Sequence, residues 1–177
     1  NSSYSTFTLL ENLLNWSRLQ TGRMQYSPAD FSLSDTINGI CSLLDSNAQS
    51  KNIRLINYMS NDYCVYADRQ MVHSILLNLA TNAIKFTLPG GTVTIDAKLS
   101  RRYEIKDGRK SEFYQKCIEV SVSDSGIGMS ADTISMIFSP DEHFSLLGTA
   151  KEQGAGLGLI LVKEMAEKHG GTLTVSS

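Results

Sequence analysis

The stretch from Asp68 to Thr87 (DRQMVHSILLNLATNAIKFT) constrains this chain more than any other, because two asparagines and a lysine interrupt an otherwise apolar helical pattern. An α-helix turns about 100° per residue, so Asn78, Asn82 and Lys85 share a narrow arc of one face. Val72, Ile75, Leu79, Ala83 and Phe86 recur at helical spacing on the adjoining flank, where a core-facing stripe belongs. A helix of this kind has two jobs, one for each face. Asp68 is placed to cap it, since its carboxylate can accept the unpaired N–H groups of the first turn. Leu88-Pro89-Gly90-Gly91 stops it, because proline cannot continue a helix and glycine supplies turn geometry.

A chain of 177 residues, 41% hydrophobic and with three prolines, can bury one full core and carry a small appendage. Its net charge of −2 and its scattered lysines and arginines argue against a nucleic-acid partner. The apolar run at 157–162 (LGLILV) is far shorter than a membrane span, and no signal-peptide pattern opens the sequence. Cys41, Cys64 and Cys117 lie far apart without CxxC spacing, which suggests neither a zinc site nor a disulfide framework. A reducing, cytoplasmic setting is therefore expected.

Residues 4–21 read as an amphipathic helix with a wide apolar arc, either an N-terminal core helix or a surface that packs on a second copy. Tyr26-Ser27-Pro28 breaks the pattern like a linker. A compact α/β unit follows. A short strand at Phe31 to Leu33 leads to a helix capped by Ser34, with Ile37, Ile40, Cys41 and Leu44 on its inner face. Ile53 to Tyr58 and Cys64 to Ala67 read as strands on either side of a turn at Asn61-Asp62. After the opening helix, Thr92 to Leu99 alternates as a half-buried strand with Val93, Ile95, Ala97 and Leu99 inward. Ser100 to Glu112 reads as a solvated connection around Asp107-Gly108.

Phe113 to Asp124 alternates again, with Ile118, Val120 and Val122 inward and Asp124 next by parity. A carboxylate at a buried strand end needs a partner. Two glycines in Ser125-Gly126-Ile127-Gly128 let the backbone approach a ligand closely. A short helix capped by Ser130 comes next, and then an aperiodic stretch from Phe138 to Gln153, too long for a plain connection. That stretch ends in Gly154-Ala155-Gly156-Leu157-Gly158-Leu159, opening a helix to His169 with Leu159, Val162, Met165 and Ala166 as its core stripe. Backbone N–H groups at such a start favour an anion, phosphate above all. Gly170-Gly171 ends the helix, and Thr172 to Val175 begins a strand.

The glycine run is not a Rossmann turn, because a polar stretch rather than an apolar strand feeds it. GxxxxGK[ST], HRD and DFG are absent. The order LNLATNAIKFT, DSGIGM, a long loop and GAGLGL closely resembles the catalytic and ATP-binding domain of bacterial sensor histidine kinases. That domain belongs to a superfamily (GHKL) with DNA gyrase B, heat-shock protein 90 and MutL. In those terms residues 77–87 resemble the N-box, Asp124 to Gly128 the G1 box, Ile137-Phe138 with Phe144 the F-box, and Gly154 to Leu159 the G2 box.

The resemblance implies an α/β sandwich of the Bergerat type, with a mixed sheet, helices on one face and one preceding helix. Residues 1–25 would end the second dimerisation helix, 26–29 would be a linker, and 30–177 the catalytic and ATP-binding domain, short of its last strand. It implies Mg²⁺ held by Asn82 and Asn78, and phosphate met by Lys85, Lys151, Gly154, Gly156, Leu157 and Gly158. Asp124 would read adenine, with Gly126 and Gly128 allowing its approach and Phe86 and Ile127 lining the slot. Superfamily members that hydrolyse ATP carry a glutamate base where Asn78 stands. Asparagine cannot be a base, so the resemblance favours transfer to a histidine, with Asn78 and Lys85 assisting. His73, His143 and His169 lack the phosphoacceptor context, so that histidine would lie on a dimerisation domain. A response regulator and a homodimeric parent are the implied partners, with the fragment itself either dimeric or monomeric. The rival readings are a degenerate binding module and a hydrolysing ATPase.

Overall fold

The computed structural model describes residues 17, 25–106, 109–137, 148–150 and 158–177, with backbone alone at 103–106 and 109–113. Of the expected N-terminal helix only Ser17 lies among them, and it is helical. The first described strand is β1 (Ala29–Ser32), which pairs antiparallel with β3 (Cys64–Ala67), Ala29 facing Ala67 and Ser32 facing Cys64. Between them run α1 (Leu33–Ser50) and β2 (Arg54–Asn57).

Ser32, rather than Ser34, caps α1, accepting from the Asp35 N–H at 3.1 Å. The Leu33 N–H is taken by the Tyr63 carbonyl and the Ser34 N–H by Asp62, so the ladder ends one residue earlier than the pattern predicts. Leu33 thereby becomes the first helical residue and is only 2% exposed. Ile37, Ile40, Leu44 and Ala48 continue the buried stripe. At the far end Asn52 sits at φ 54°, the left-handed position where asparagine is the tolerated alternative to glycine.

The central helix is α2 (Arg69–Phe86), and Asp68 caps it as expected. The main sheet has the order β2-β4-β5, with β4 (Thr92–Lys106) parallel to β2 and antiparallel to β5 (Arg109–Asp124). Val93, Ile95 and Ala97 point into a core shared with Ile37, Ile40 and Leu44 of α1 and Leu76, Ala80, Ala83 and Ile84 of α2. Each valine, leucine or isoleucine among them contributes about 1.5–3 kcal/mol by leaving water. Leu99, expected inward, is 59% exposed. Residues 100–106 and 109–112 are strand rather than loop, with Lys106 facing Arg109, so β4 and β5 extend as a ribbon.

Among the described residues two helices follow, α3 (Ala131–Met136), capped by Ser130, and α4 (Gly158–Lys168). In α4 the buried stripe is Leu161, Val162 and Met165, with Leu159 and Ala166 half-buried. Residues 171–177 form no ladder, although the Met129 N–H donates to Ser177 Oγ at 2.7 Å. Among the described residues no helix is long and apolar enough to cross a membrane, and Cys41, Cys64 and Cys117 are free thiols.

The α2 pattern needs one correction. Of the expected core flank, only Ala83 is fully buried, while Val72, Ile75, Leu79 and Phe86 are half-buried. The helix is wedged between two packings. One side meets α1 and the sheet through Leu76, Ala80, Ala83 and Ile84, and the other meets Leu161 and Met165 of α4 through Met71 and Ile75. At 100° per residue Met71 and Ile75 lie in line with Asn78, Asn82 and Lys85. One face of α2 is thus apolar in its first half, where α4 covers it, and polar in its second.

Candidate nucleotide site

Helix α4 runs back along α2, with Gly158 beside Asn78 at one end and His169 beside Asp68 at the other. A Cβ at Gly158 would lie 2.9 Å from Asn78 Oδ1, so glycine is what lets α4 start this close. The Asn78 amide donates to the Ser74 carbonyl at 3.0 Å, which turns its oxygen toward Gly158. Asn82 is half-buried, and its side chain makes no hydrogen bond among the described residues. Lys85 Nζ stands 4.8 Å from the centre of the Phe86 ring.

The C-terminal end of α2 is tied to the start of the glycine loop. The Ile127 N–H donates to the Phe86 carbonyl at 3.2 Å, and the Gly126 N–H donates to Asp124 Oδ1 at 2.8 Å. A Cβ at Gly126 would meet the Phe86 oxygen at 2.5 Å and Asp124 Oδ1 at 2.6 Å, so the protein itself crowds this position. Gly128 has φ +68°, a conformation that favours glycine. Asp124 faces Val93 across the ladder, as parity requires, yet it is exposed rather than buried. Because it is exposed, the carboxylate can meet a ligand without being desolvated by its own fold. Ile127 is 56% exposed beside it.

Lys51 and Thr149 hold this corner from below. Lys51 Nζ donates to the carbonyls of Ile84 (2.8 Å) and Lys85 (2.9 Å) and to Thr149 Oγ1 (2.7 Å). The Thr149 N–H also donates to Lys85 O, and its hydroxyl lies 2.9 Å from Thr87 O. A cation on the last carbonyls of a helix satisfies unpaired acceptors and opposes the negative end of the dipole.

A family described as histidine kinase-, DNA gyrase B- and HSP90-like ATPase matches residues 67–177. The chain belongs to that family. An uncharacterized sensor-like histidine kinase of Rhizobium meliloti is 32% identical over 171 residues, 96% of this chain and 30% of the relative. The autoinducer 2 sensor kinase/phosphatase LuxQ of Vibrio vulnificus is 28% identical over 179 residues, all of this chain and 20% of the relative. The crystal structure of full-length ShkA in complex with AMPPNP matches with a TM-score of 0.69 at 27% identity, covering 96% of this chain and 32% of that one. The chain thus spans a third or less of each of these proteins. It carries the ATP-binding domain of sensor histidine kinases, with the mixed α/β architecture of that ATPase family.

Within this ATPase domain, Asn78, Asn82, Lys85 and Phe86 lie on one helix, Gly158 abuts Asn78, and Gly126 and Ile127 abut Phe86. Lys151, Gly154, Gly156, Leu157, Phe138, Phe144 and His143 lie outside the described residues. His73 is half-buried on α2, and His169 caps α4 through Met165. Sequence reasoning missed Lys51, Thr149 and the Phe86 carbonyl. Lys51 reaches partners 33 to 98 residues away, and no local pattern signals such a contact.

Gly158→Ala tests the helix start. The added methyl displaces the Asn78 side chain, and Mg·ATP affinity measured by calorimetry is expected to fall about tenfold, a 1.4 kcal/mol effect. Thermal stability should hold, because alanine favours a helix over glycine.

Proposed function

We propose that this chain binds Mg·ATP and donates its γ-phosphate to a histidine on a dimerisation domain, in a two-component pathway that passes the phosphoryl group to a response regulator. The observation that carries this reading is the continuity of α2. The helix that presents Asn78, Asn82 and Lys85 ends on the carbonyl that anchors the Asp124–Gly128 loop. Asn78 and Phe86 are about 12 Å apart along the axis, a separation over which base and phosphates can be gripped by one rigid element.

The donor set fits a magnesium nucleotide. Among the described residues no three His, Cys, Asp or Glu converge. A divalent ion here would take amide oxygen from Asn82 and Asn78, with phosphate and water completing its shell, which suits the hard and strongly hydrated Mg²⁺. Lys85 would offset phosphate charge as a point cation. Asp124 would accept the adenine amino group, Phe86 and Ile127 would flank the ring, and Gly158 would present its N–H at the start of α4. The metal would neutralise phosphate charge during transfer, while the chain's own part is to bind, orient and exclude water.

Asn78 cannot take a proton from water, and its amide already donates to Ser74 O. The reaction it leaves open is transfer to a positioned acceptor rather than hydrolysis. Residues 1–25 would belong to a dimerisation helix and 30–177 to the catalytic domain, so that the parent works as a homodimer. The test supplies this chain with a separate dimerisation domain carrying its histidine and with labelled ATP. Acid-labile phosphohistidine is the expected product, and intact Mg·ATP binding without transfer would reassign the chain to a binding module.

A further inference from the structure

At the end of α2 remote from Lys85 lies a second cluster, built on Asp68 and His169. Asp68 is 6% exposed and uses both carboxylate oxygens. Oδ1 accepts the N–H groups of Gln70 and Met71, each at 3.0 Å, which is the helix cap. Oδ2 accepts the Ser27 N–H at 2.8 Å, from 41 residues upstream. The Asp68 N–H in turn donates to His169 Nε2 at 3.1 Å. His169 Nδ1 lies 2.7 Å from the Met165 carbonyl, so it carries the proton and the ring is the neutral tautomer. Tyr26 meets that ring edge-on, with centroids 5.1 Å apart and planes at 87°.

Tyr26 and Ser27 thus touch both helices of the site at the ends remote from it, Asp68 at the start of α2 and His169 past the end of α4. The β1–β3 ladder already secures the chain from Ala29 onward. A clamp two residues before the ladder adds little to holding the domain together. What it fixes is the direction in which the upstream polypeptide meets the domain.

We propose that Asp68, His169 and Tyr26 form a clamp on the entering chain and are positioning residues for phosphoryl transfer to a histidine carried upstream. This role rests on the functional reading above. The chemistry of Asp68 allows a clean separation of cap from clamp. In Asp68→Asn the retained Oδ1 still accepts from Gln70 and Met71, but the new NH₂ group faces the Ser27 N–H, donor against donor. His169→Phe keeps a ring edge for Tyr26 and deprives the Asp68 N–H of its acceptor.

Transfer is measured in two formats, with the dimerisation domain joined ahead of this chain and with the same domain supplied separately. Both variants are expected to lower the joined rate about 10- to 100-fold, the cost of misplacing reactants, while the separate rate and the Mg·ATP affinity stay within about twofold. Amide exchange at Ser27 should be slow in the unsubstituted chain and accelerate in Asp68→Asn. Equal losses in both formats, unchanged joined rates, or a Ser27 amide already fast in the unsubstituted chain would each overturn the clamp. No transfer from the unsubstituted protein in either format would overturn the functional reading, and the positioning role with it.

Discussion

Asp124→Ala is expected to weaken nucleotide binding about 10- to 100-fold and leave the fold in place. Asp124 is exposed, and its hydrogen bond is local, to the Gly126 N–H. Its ladder contact with Val93 is made by backbone. Truncation therefore creates no cavity, and the melting temperature should move by no more than about 2 °C. The adenine amino group, by contrast, would enter a slot with no acceptor. Losing a charged acceptor against a desolvated donor costs about 1.5–3 kcal/mol, so affinity should fall about 10- to 100-fold. The loss should be the same with and without magnesium, because the base rather than the phosphates has lost its partner. Calorimetry showing unchanged affinity in a folded Asp124→Ala protein would remove this residue from the site.

Residues whose role is set by nearest neighbours are legible in the sequence alone. Asp68 and Ser130 cap helices as their positions predict, because a cap depends on residues two or three places on. Val93, Ile95 and Ala97 point inward because strand parity alone decides it. Leu99 obeys the same parity and yet is 59% exposed. Parity assigns a face, and packing decides whether the face is buried. The same distinction applies to Asp124, which is exposed although its ladder partner Val93 is fully buried.

The central helix shows the limit most clearly. Its polar arc is readable from spacing, but its buried residues are not, because α2 packs on two partners and its half-buried flank lies between them. One sequence cannot say how many neighbours a helix has. For the same reason the pattern around Gly126 suggests a concession to ligand, whereas the atoms nearest its missing side chain belong to Phe86 and Asp124. Lys51 gives no signal at all, because its partners are set by how α1, α2 and Thr149 converge.

Asn82→Ala should separate metal from base. The Asn82 side chain makes no hydrogen bond among the described residues, so its truncation is expected to cost no more than about 1 kcal/mol of stability, measured by urea unfolding. Nucleotide should still bind weakly through Asp124, but the gain in affinity on adding Mg²⁺ should vanish. Phosphoryl transfer should fall about 100- to 1,000-fold, the range seen when one preorganised electrostatic contact to a transition state is removed. Asn82→Asp keeps an oxygen at the same place and should retain the magnesium response, because a hard cation accepts carboxylate as readily as amide oxygen. The pair therefore distinguishes ligation from packing. If Asn82→Ala preserved the magnesium increment, the ion would be held by phosphate, water and Asn78 alone, and the protein's share of the metal site would narrow to the residue beside Gly158.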